Sequence, residues 1–359
     1  MMQKAIPCML MRGGTSKGTY YLDSDLPADP AAREEVLLRV MGSPDSRQID
    51  GVGGAHPLTS KVAIIKKSAR EGIDVDYLFV QVVVDEARTS TAQNCGNILA
   101  GVGPFAIENG LVEANDGETI VTVYMENTDS IARQRILTPG KQVQYDGDAA
   151  IDGVPGTHAP IMIEFVGVAG SSCGALFPSG NVVDEVDGIP VTLVDNGMPV
   201  VMISAPDLGL KGDESIEALE GNTALKERVE AIRLKVGPMM NLGDVKDKTV
   251  PKMTIVSPAQ NGGLINTRSF IPHRVHDAVG VLAAASVAVA ATTPGAVGHD
   301  LATIPAGERK LCHVEHPTGA LAVEVELSDD PADPAPKSVA IMRTARLLMA
   351  GTAYYIPVA

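Results

Sequence analysis

Gln93-Asn94-Cys95-Gly96-Asn97-Ile98-Leu99-Ala100-Gly101-Val102-Gly103-Pro104 turns from a polar run into a small-residue apolar segment. The apolar part reads as a buried helix, which puts Cys95 at its N-terminus, where the first backbone N–H groups have no acceptor within the helix. Such a terminus favours negative charge, whether a thiolate or a bound anion. A structural cysteine belongs inside the apolar run rather than ahead of it, so Cys95 reads as a functional thiol.

Composition narrows what that thiol can serve. A chain of 359 residues is long for one core and is expected to form two domains. Aromatic residues make up 3% of it, Trp is absent and the formal charge is −15, which together argue against base stacking and phosphate-backbone binding. Cys8, Cys95, Cys173 and Cys312 stand far apart with no C-x-x-C pair, the pattern of reduced cytosolic thiols rather than a disulfide frame or zinc cluster. The apolar residues before Arg12 are too few for a signal peptide. The Ala-rich run from Ala278 to Thr293 is shorter than the ~20 residues of a membrane span and reads as a buried helix. A cytoplasmic protein with neither nucleic-acid nor membrane partners is expected.

Ile6 to Met11 reads as a strand, followed by the polar loop Arg12-Gly13-Gly14-Thr15-Ser16-Lys17-Gly18. Without the Walker A spacing, that loop is either a nest of N–H groups with Lys17 as a point charge, or a plain hairpin turn. Asp29 as cap, Pro30 in the first turn and Gly42 beyond the end delimit a helix over 30–41. Gly51-Val52-Gly53-Gly54-Ala55-His56-Pro57-Leu58-Thr59-Ser60-Lys61 then runs into Val62-Ala63-Ile64-Ile65, a buried strand. Lys61 at its edge is either a snorkelling surface residue or a desolvated amine fit to act as a base. Tyr77 to Asp85, Thr119 to Met125 and Ser130 to Leu137 read as further strands. Gly101-Val102-Gly103-Pro104-Phe105-Ala106 matches G-x-G-x-x-A, but it lies in or after a helix, which rules out a dinucleotide fingerprint.

The second half echoes the first. The polar loop Gly262 to Phe270 precedes an Ala-rich helix expected over 275–291, and a turn at Val314 to Gly319 leads into a strand over 320–327. A charged-faced helix is expected over 222–236, and the Pro-rich segment Asp329 to Pro336 as a loop. Strands between turn signals, with one buried helix per half, indicate two similar α+β domains rather than a parallel βαβ sheet.

The chain resembles the PrpF family of cofactor-independent isomerases, within the diaminopimelate epimerase-like superfamily. The resemblance rests on Met11 to Gly18, Asp50 to Gly54, Thr59-Ser60-Lys61-Val62-Ala63, Gln93 to Asn97 and Asn266-Thr267-Arg268-Ser269-Phe270-Ile271-Pro272-His273. Asp195 to Val200 looks like the strand opening the superfamily's second domain. This resemblance implies two pseudo-symmetric domains, each a curled, mostly antiparallel sheet around a central helix, with the active site in the cleft between them. The expected boundaries are 1–155 and 156–339, with a C-terminal strand in 340–359 returning to the first domain.

It further implies a 1,3-proton shift in an unsaturated tricarboxylate of the oxalomesaconate type, in aromatic-acid degradation. A methylaconitate-type substrate is the runner-up, and a non-catalytic carboxylate-binding protein the remote alternative. Lys61 and Cys95 would handle protons, with Lys61 the stronger claimant as base. Gly14, Thr15, Ser16, Lys17, Ser60, Asn94, Gly96, Asn97, Arg268 and Ser269 would hold the substrate's carboxylates. No cofactor is implied. His273-Arg274-Val275-His276 brings no accompanying carboxylate or thiol, so no metal is expected. The partner is a small polycarboxylate, with a homodimer as the assembly to look for. The superfamily's epimerases carry a second cysteine at the second helix N-terminus, and none lies between Cys173 and Cys312 here. Tautomerisation tolerates that loss; two-base stereoinversion does not.

Overall fold

The structure, a computed structural model, describes residues 2–92, 94–328, 330 and 335–357, so most of the loop expected over 329–336 lies outside the described residues. The chain divides into two units, Met1–Val166 with Arg343–Ala359, and Gly167–Met342. In the first, the strands are β1 (Lys4–Gly13), β2 (Ser16–Leu22), β3 (Lys61–Lys67), β4 (Val75–Val82), β5 (Thr89–Ser90), β6 (Gly117–Met125), β7 (Ser130–Thr138) and β8 (Pro160–Val166). Its helices are α1 (Pro30–Met41), α2 (Gly96–Leu99) and α3 (Val102–Glu108). The second holds β9 (Asp184–Val186), β10 (Ile189–Asp195), β11 (Pro199–Ser204), β12 (Lys252–Ser257), β13 (Ile265–Phe270), β14 (Arg309–His316) and β15 (Gly319–Glu326). Its helices are α4 (Ile216–Gly221), α5 (Thr223–Met239) and α6 (Val281–Thr292). The last strand, β16 (Ser338–Tyr355), pairs with β15 at its start and with β1 over Ala345–Tyr355. The boundary expected at 155/156 falls short because β8 pairs along β7 and so stays in the first unit.

One order of pairings runs through both units. In the first, hairpin β1–β2 is followed by parallel β2–β3, hairpin β3–β4, parallel β4–β6 and hairpin β6–β7. In the second, the same order runs β10–β11, parallel β11–β12, β12–β13, parallel β13–β14 and β14–β15. A parallel pair needs a long crossover, and these crossovers carry the helices. Thus α1 joins β2 to β3, α2 and α3 join β4 to β6, and α6 joins β13 to β14.

β2, β3 and β4 are largely buried on both faces, which is why Val62 to Ile65 reads as an unbroken apolar run. On one face Met11, Tyr20, Ala63, Ile65, Tyr77 and Phe79 pack against Ile98, Leu99, Val102 and Phe105 of α2 and α3. On the other, Ile6, Cys8, Tyr21, Val62, Ile64 and Val80 meet Val36, Leu37 and Val40 of α1. In the second unit α6 is buried from Ala283 to Thr292. Leu225, Val229, Ile232 and Val236 of α5 pack with Val191, Ile203 and Ile255.

Local chemistry places α1 where the sequence puts it, with the Asp29 carboxylate accepting from Ala32 N at 2.9 Å. The loop at 12–18 is the hairpin of its two readings, with Gly14 and Thr15 as the turn and Gly14 at φ +50°. Two expectations need correction. The apolar helix after Cys95 is broken in two, because Pro104 has no N–H to bond the Ala100 carbonyl. Gln134 bridges that break, its Nε2 donating to Leu99 O at 2.6 Å and its Oε1 accepting from Gly103 N at 2.7 Å. The helix expected from Val275 begins only at Val281, because Val275 is held in a bridge to Phe270 and Gly280 becomes the cap. His273 and His276 therefore lie in a loop. No helix among the described residues is long and apolar enough to cross a membrane.

Candidate active site

Lys61 opens β3 and is 6% exposed. Side chains alternate along a strand, so Lys61 shares the face of Ala63 and Ile65, toward α2 and α3. Its Nζ donates to Gln81 Oε1 at 2.7 Å and lies 5.0 Å from the centroid of the Phe79 ring. Gln81, directly opposite Lys61 in the β3–β4 pair, is itself locked. Its Nε2 donates to Pro57 O and Ser60 O at 3.0 Å and to Val82 O at 3.2 Å. Turning the amide over would set its oxygen against those carbonyls, so the network keeps Oε1 facing the amine. The sequence reading missed Gln81, although an amide amid Leu78, Phe79, Val80, Val82 and Val83 is itself a signal.

Cys95 is half-buried, caps α2 and packs against the same cluster that contains Phe79. Asn94 serves the turn, with Oδ1 accepting from Cys95 N at 2.8 Å and Nδ2 on Met125 Sδ at 2.6 Å. Asn97 Nδ2 donates to Thr15 Oγ1 at 3.1 Å, joining the hairpin tip to the Cys95 turn. The approach is so close that a Cβ on Gly13 would stand 2.4 Å from Asn97 O, which only glycine tolerates. Tyr20 and Tyr77 are fully buried beside this thiol. Burial first, and the Cys95 charge second, push both phenols well above their usual range. Tyr20 Oη donates to Ile98 O at 2.6 Å, while Tyr77 Oη is buried without a hydrogen-bond partner among the described residues. Because α2 is a single turn, its pull on an anion rests on the free amides at Gly96 and Asn97 rather than on a long dipole.

The other expected ligands differ in their surroundings. Ser60 is fully buried, and its Oγ donates to Gln48 Oε1 at 2.7 Å. Ser16 is buried with its hydroxyl unpaired. Lys17 alternates onto the Tyr21 face, opposite Lys61. In the second unit the Ser269 and Thr254 hydroxyls pair at 3.1 Å, inside a fully buried strand. Arg268 donates through Nε to Glu214 O, and through Nη1 to Asn266 Oδ1 and Thr267 O, each at 2.9 Å. Burial holds its pKa below the ordinary value, with Glu214 and Asp213 opposing. A two-pronged carboxylate clamp needs a free edge of the guanidinium. Here that edge is used within the unit, which leaves Nη2.

Among the cysteines Cys95 alone is not buried; burial raises the thiols of Cys8, Cys173 (to about 12) and Cys312 (to about 11). Brief treatment of the native protein with iodoacetamide at pH 8, followed by peptide mapping, is therefore expected to modify Cys95 and to spare the other three until denaturant is added. Early labelling of a buried cysteine would contradict this assignment of exposure.

The PrpF protein family model matches residues 3–356. The chain is 60% identical over 348 residues to the (4E)-oxalomesaconate Delta-isomerase of a Novosphingobium species, covering 97% of both chains. It is 57% identical over 351 residues to the 4-oxalomesaconate tautomerase of Pseudomonas putida, covering 98% of this chain and 96% of that one. Among solved structures, methylitaconate-delta-isomerase superposes with a TM-score of 0.88 at 34% identity, covering 98% of this chain and 96% of its own. The chain belongs to the PrpF family.

Proposed function

We propose that this isomerase carries out a 1,3-proton shift in 4-oxalomesaconate, with Lys61 as the base. The observation that carries the reading is the amine itself, buried on the α2–α3 face with its position set by Gln81 Oε1 and the Phe79 ring. In its unprotonated form the amine keeps an N–H for Gln81 and turns its lone pair to the substrate. It takes a proton from a carbon conjugated to a carbonyl, and the C–H electron pair spreads through the conjugated system as a dienolate. Donors already in place stabilise that charge better than water, which would have to reorganise. The amides of Gly96 and Asn97 and the Thr15 hydroxyl supply such donors here. Return of the proton at the distal carbon, from Lys61 or from Cys95, moves the double bond with no net loss or gain. The identities of 60% and 57% to oxalomesaconate enzymes, against 34% to the methylitaconate enzyme, favour the tricarboxylate over a methyl-bearing substrate. A place in aromatic-acid degradation and a cytosolic setting follow as parts of the same proposal.

The test is product identification by NMR after incubating the protein with 4-oxalomesaconate in deuterated buffer. An isomer labelled at a single carbon supports the reading. Binding without solvent deuterium incorporation would support a non-catalytic carboxylate receptor instead. Cys95→Ser is expected to keep activity, with kcat reduced by about 10²-fold or less, since auxiliary proton transfer sits at the low end of acid–base contributions. Complete loss of turnover in a folded Cys95→Ser protein would make the thiol obligatory.

A further inference from the structure

The loop between α1 and β3 supplies no donor to the proposed reaction, yet it is built around one side chain. Gln48 is 1% exposed, although it stands in a polar, glycine-rich stretch. Its Oε1 accepts from Ala55 N at 2.9 Å and from Ser60 Oγ at 2.7 Å, and its Nε2 donates to Ser43 Oγ at 3.1 Å. The loop closes on this amide so tightly that a Cβ on Gly53 would overlap Oε1. Gln48 and Ala55 themselves hold φ of +47° and +55°. Residues other than glycine enter that region at a cost and keep it only where their surroundings impose it. Here the hydrogen bonds of the Gln48 amide impose it.

Those bonds continue to Lys61, and each runs in one direction. The Ser43 hydroxyl gives its hydrogen to Val83 O at 2.7 Å, so toward Gln48 it can only accept. That turns Nε2 of Gln48 toward Ser43 and Oε1 toward Ala55 and Ser60. The Ser60 hydroxyl gives its own hydrogen to Gln48, which ties down the main chain just ahead of Lys61. The Ser60 carbonyl accepts from Val82 N and from Gln81 Nε2, each at 3.0 Å. Pro57 O, from the same loop, also accepts from Gln81 Nε2 at 3.0 Å. With its nitrogen so placed, Gln81 presents Oε1 to Lys61 Nζ at 2.7 Å. The chain of bonds thus leaves the end of β4 at Val83 and returns to it at Gln81.

We propose that Gln48 is a positioning residue for Lys61, a role that rests on Lys61 being the base. It touches neither the amine nor Gln81. It acts by holding the Ser60 and Pro57 carbonyls against Gln81, and so sets where the amine stands and which atom it meets. A buried polar network is rigid only while every member is satisfied. Without the Gln48 amide the loop loses its centre, and the two carbonyls no longer hold Gln81 Nε2. A Gln81 amide free to turn then meets Lys61 with a donor in place of an acceptor. Displacing a reacting group by ~1 Å costs up to about 10²-fold in rate.

The test is Gln48→Met, which keeps the length of the side chain and removes the amide. Ser43→Ala is the second variant, removing only the group that orients Gln48; it decides the matter if Gln48→Met does not fold. Each folded protein gives two readouts: hydrogen exchange of the Gln81 Nε2 amide by NMR, assigned with Gln81→Met, and kcat and KM with 4-oxalomesaconate. In Gln48→Met, exchange at Gln81 is expected to speed up by about tenfold or more, while the buried Gln134 Nε2 amide keeps its wild-type rate. The same variant is expected to lose about 10–10²-fold in kcat with KM within a few-fold of wild type. Ser43→Ala is expected to move Gln81 exchange and kcat in the same directions by less. Unchanged Gln81 exchange in both variants would break the link, and wild-type kcat beside faster Gln81 exchange would deny Gln48 a part in the reaction. Equal acceleration at Gln134 would make Gln48 a support of the fold and overturn the proposal. Exchange at Gln81 reads the link without turnover, so its failure is told apart from failure of the base assignment, which Lys61→Met reports.

Discussion

Lys61→Met is expected to lower kcat by about 10²–10⁴-fold, the range that a positioned general base contributes, and to leave KM within a few-fold of wild type. Methionine keeps the apolar stem over Phe79 and removes the amine, so the change tests proton transfer more than shape. It leaves Gln81 Oε1 without its donor, at a cost of about 1–3 kcal/mol for a buried unsatisfied acceptor. A circular dichroism melt separates that loss from the kinetic one. A Lys61→Met protein that stays folded and retains wild-type kcat would remove Lys61 from the chemistry. The companion change, Gln81→Glu, puts a carboxylate where Gln81 Oε1 now stands, 2.7 Å from the amine. A carboxylate there pairs with the charged ammonium and so takes the amine from its task as base, and kcat is expected to fall by about tenfold or more while the fold is kept. Wild-type kcat in a folded Gln81→Glu protein would show that the amine's setting does not control the rate.

Gln134→Leu is the substitution with the largest expected effect on the fold around the site. Gln134 is fully buried, and its amide satisfies both the Leu99 carbonyl and the Gly103 N–H where the helix breaks. Leucine fills a similar volume and bonds neither group. Two orphaned backbone groups at about 1–3 kcal/mol each predict a loss of about 2–6 kcal/mol, visible as a lower denaturant midpoint. Because α2 carries Gly96 and Asn97, turnover is expected to fall even below the melting transition. A change of under 0.5 kcal/mol would mean that the break is held by something other than Gln134.

The particular elements show what the sequence makes legible. The helix over 30–41 was readable from Asp29, Pro30 and Gly42 because capping chemistry is local to the chain. The strands over 61–67, 117–125 and 130–138 were readable from apolar runs bounded by turn residues, whereas β13 lies inside the stretch Gly262 to Phe270 that reads as a polar loop. Lys61 and Cys95 stood out because each is a chemically active side chain at the edge of an apolar run. The fates of Ser60, Ser269 and Arg268 were not readable, because their partners Gln48, Thr254 and Glu214 are set by strand register and loop course. Gln81 was missed for the same reason, since its meaning lies in facing Lys61 across β3 and β4. Lys17 illustrates the limit most clearly. Its motif matches the family, yet the alternation of β2 turns it away from Lys61 and toward Arg12 and Arg346.

The most direct measurement is solvent-deuterium incorporation into 4-oxalomesaconate and its isomer, followed by NMR in wild type and in Lys61→Met. The proposed mechanism predicts rapid incorporation at the carbon that gains the proton in wild type, and incorporation slowed at least 10²-fold in the variant. Equal rates in the two proteins would contradict Lys61 as the base.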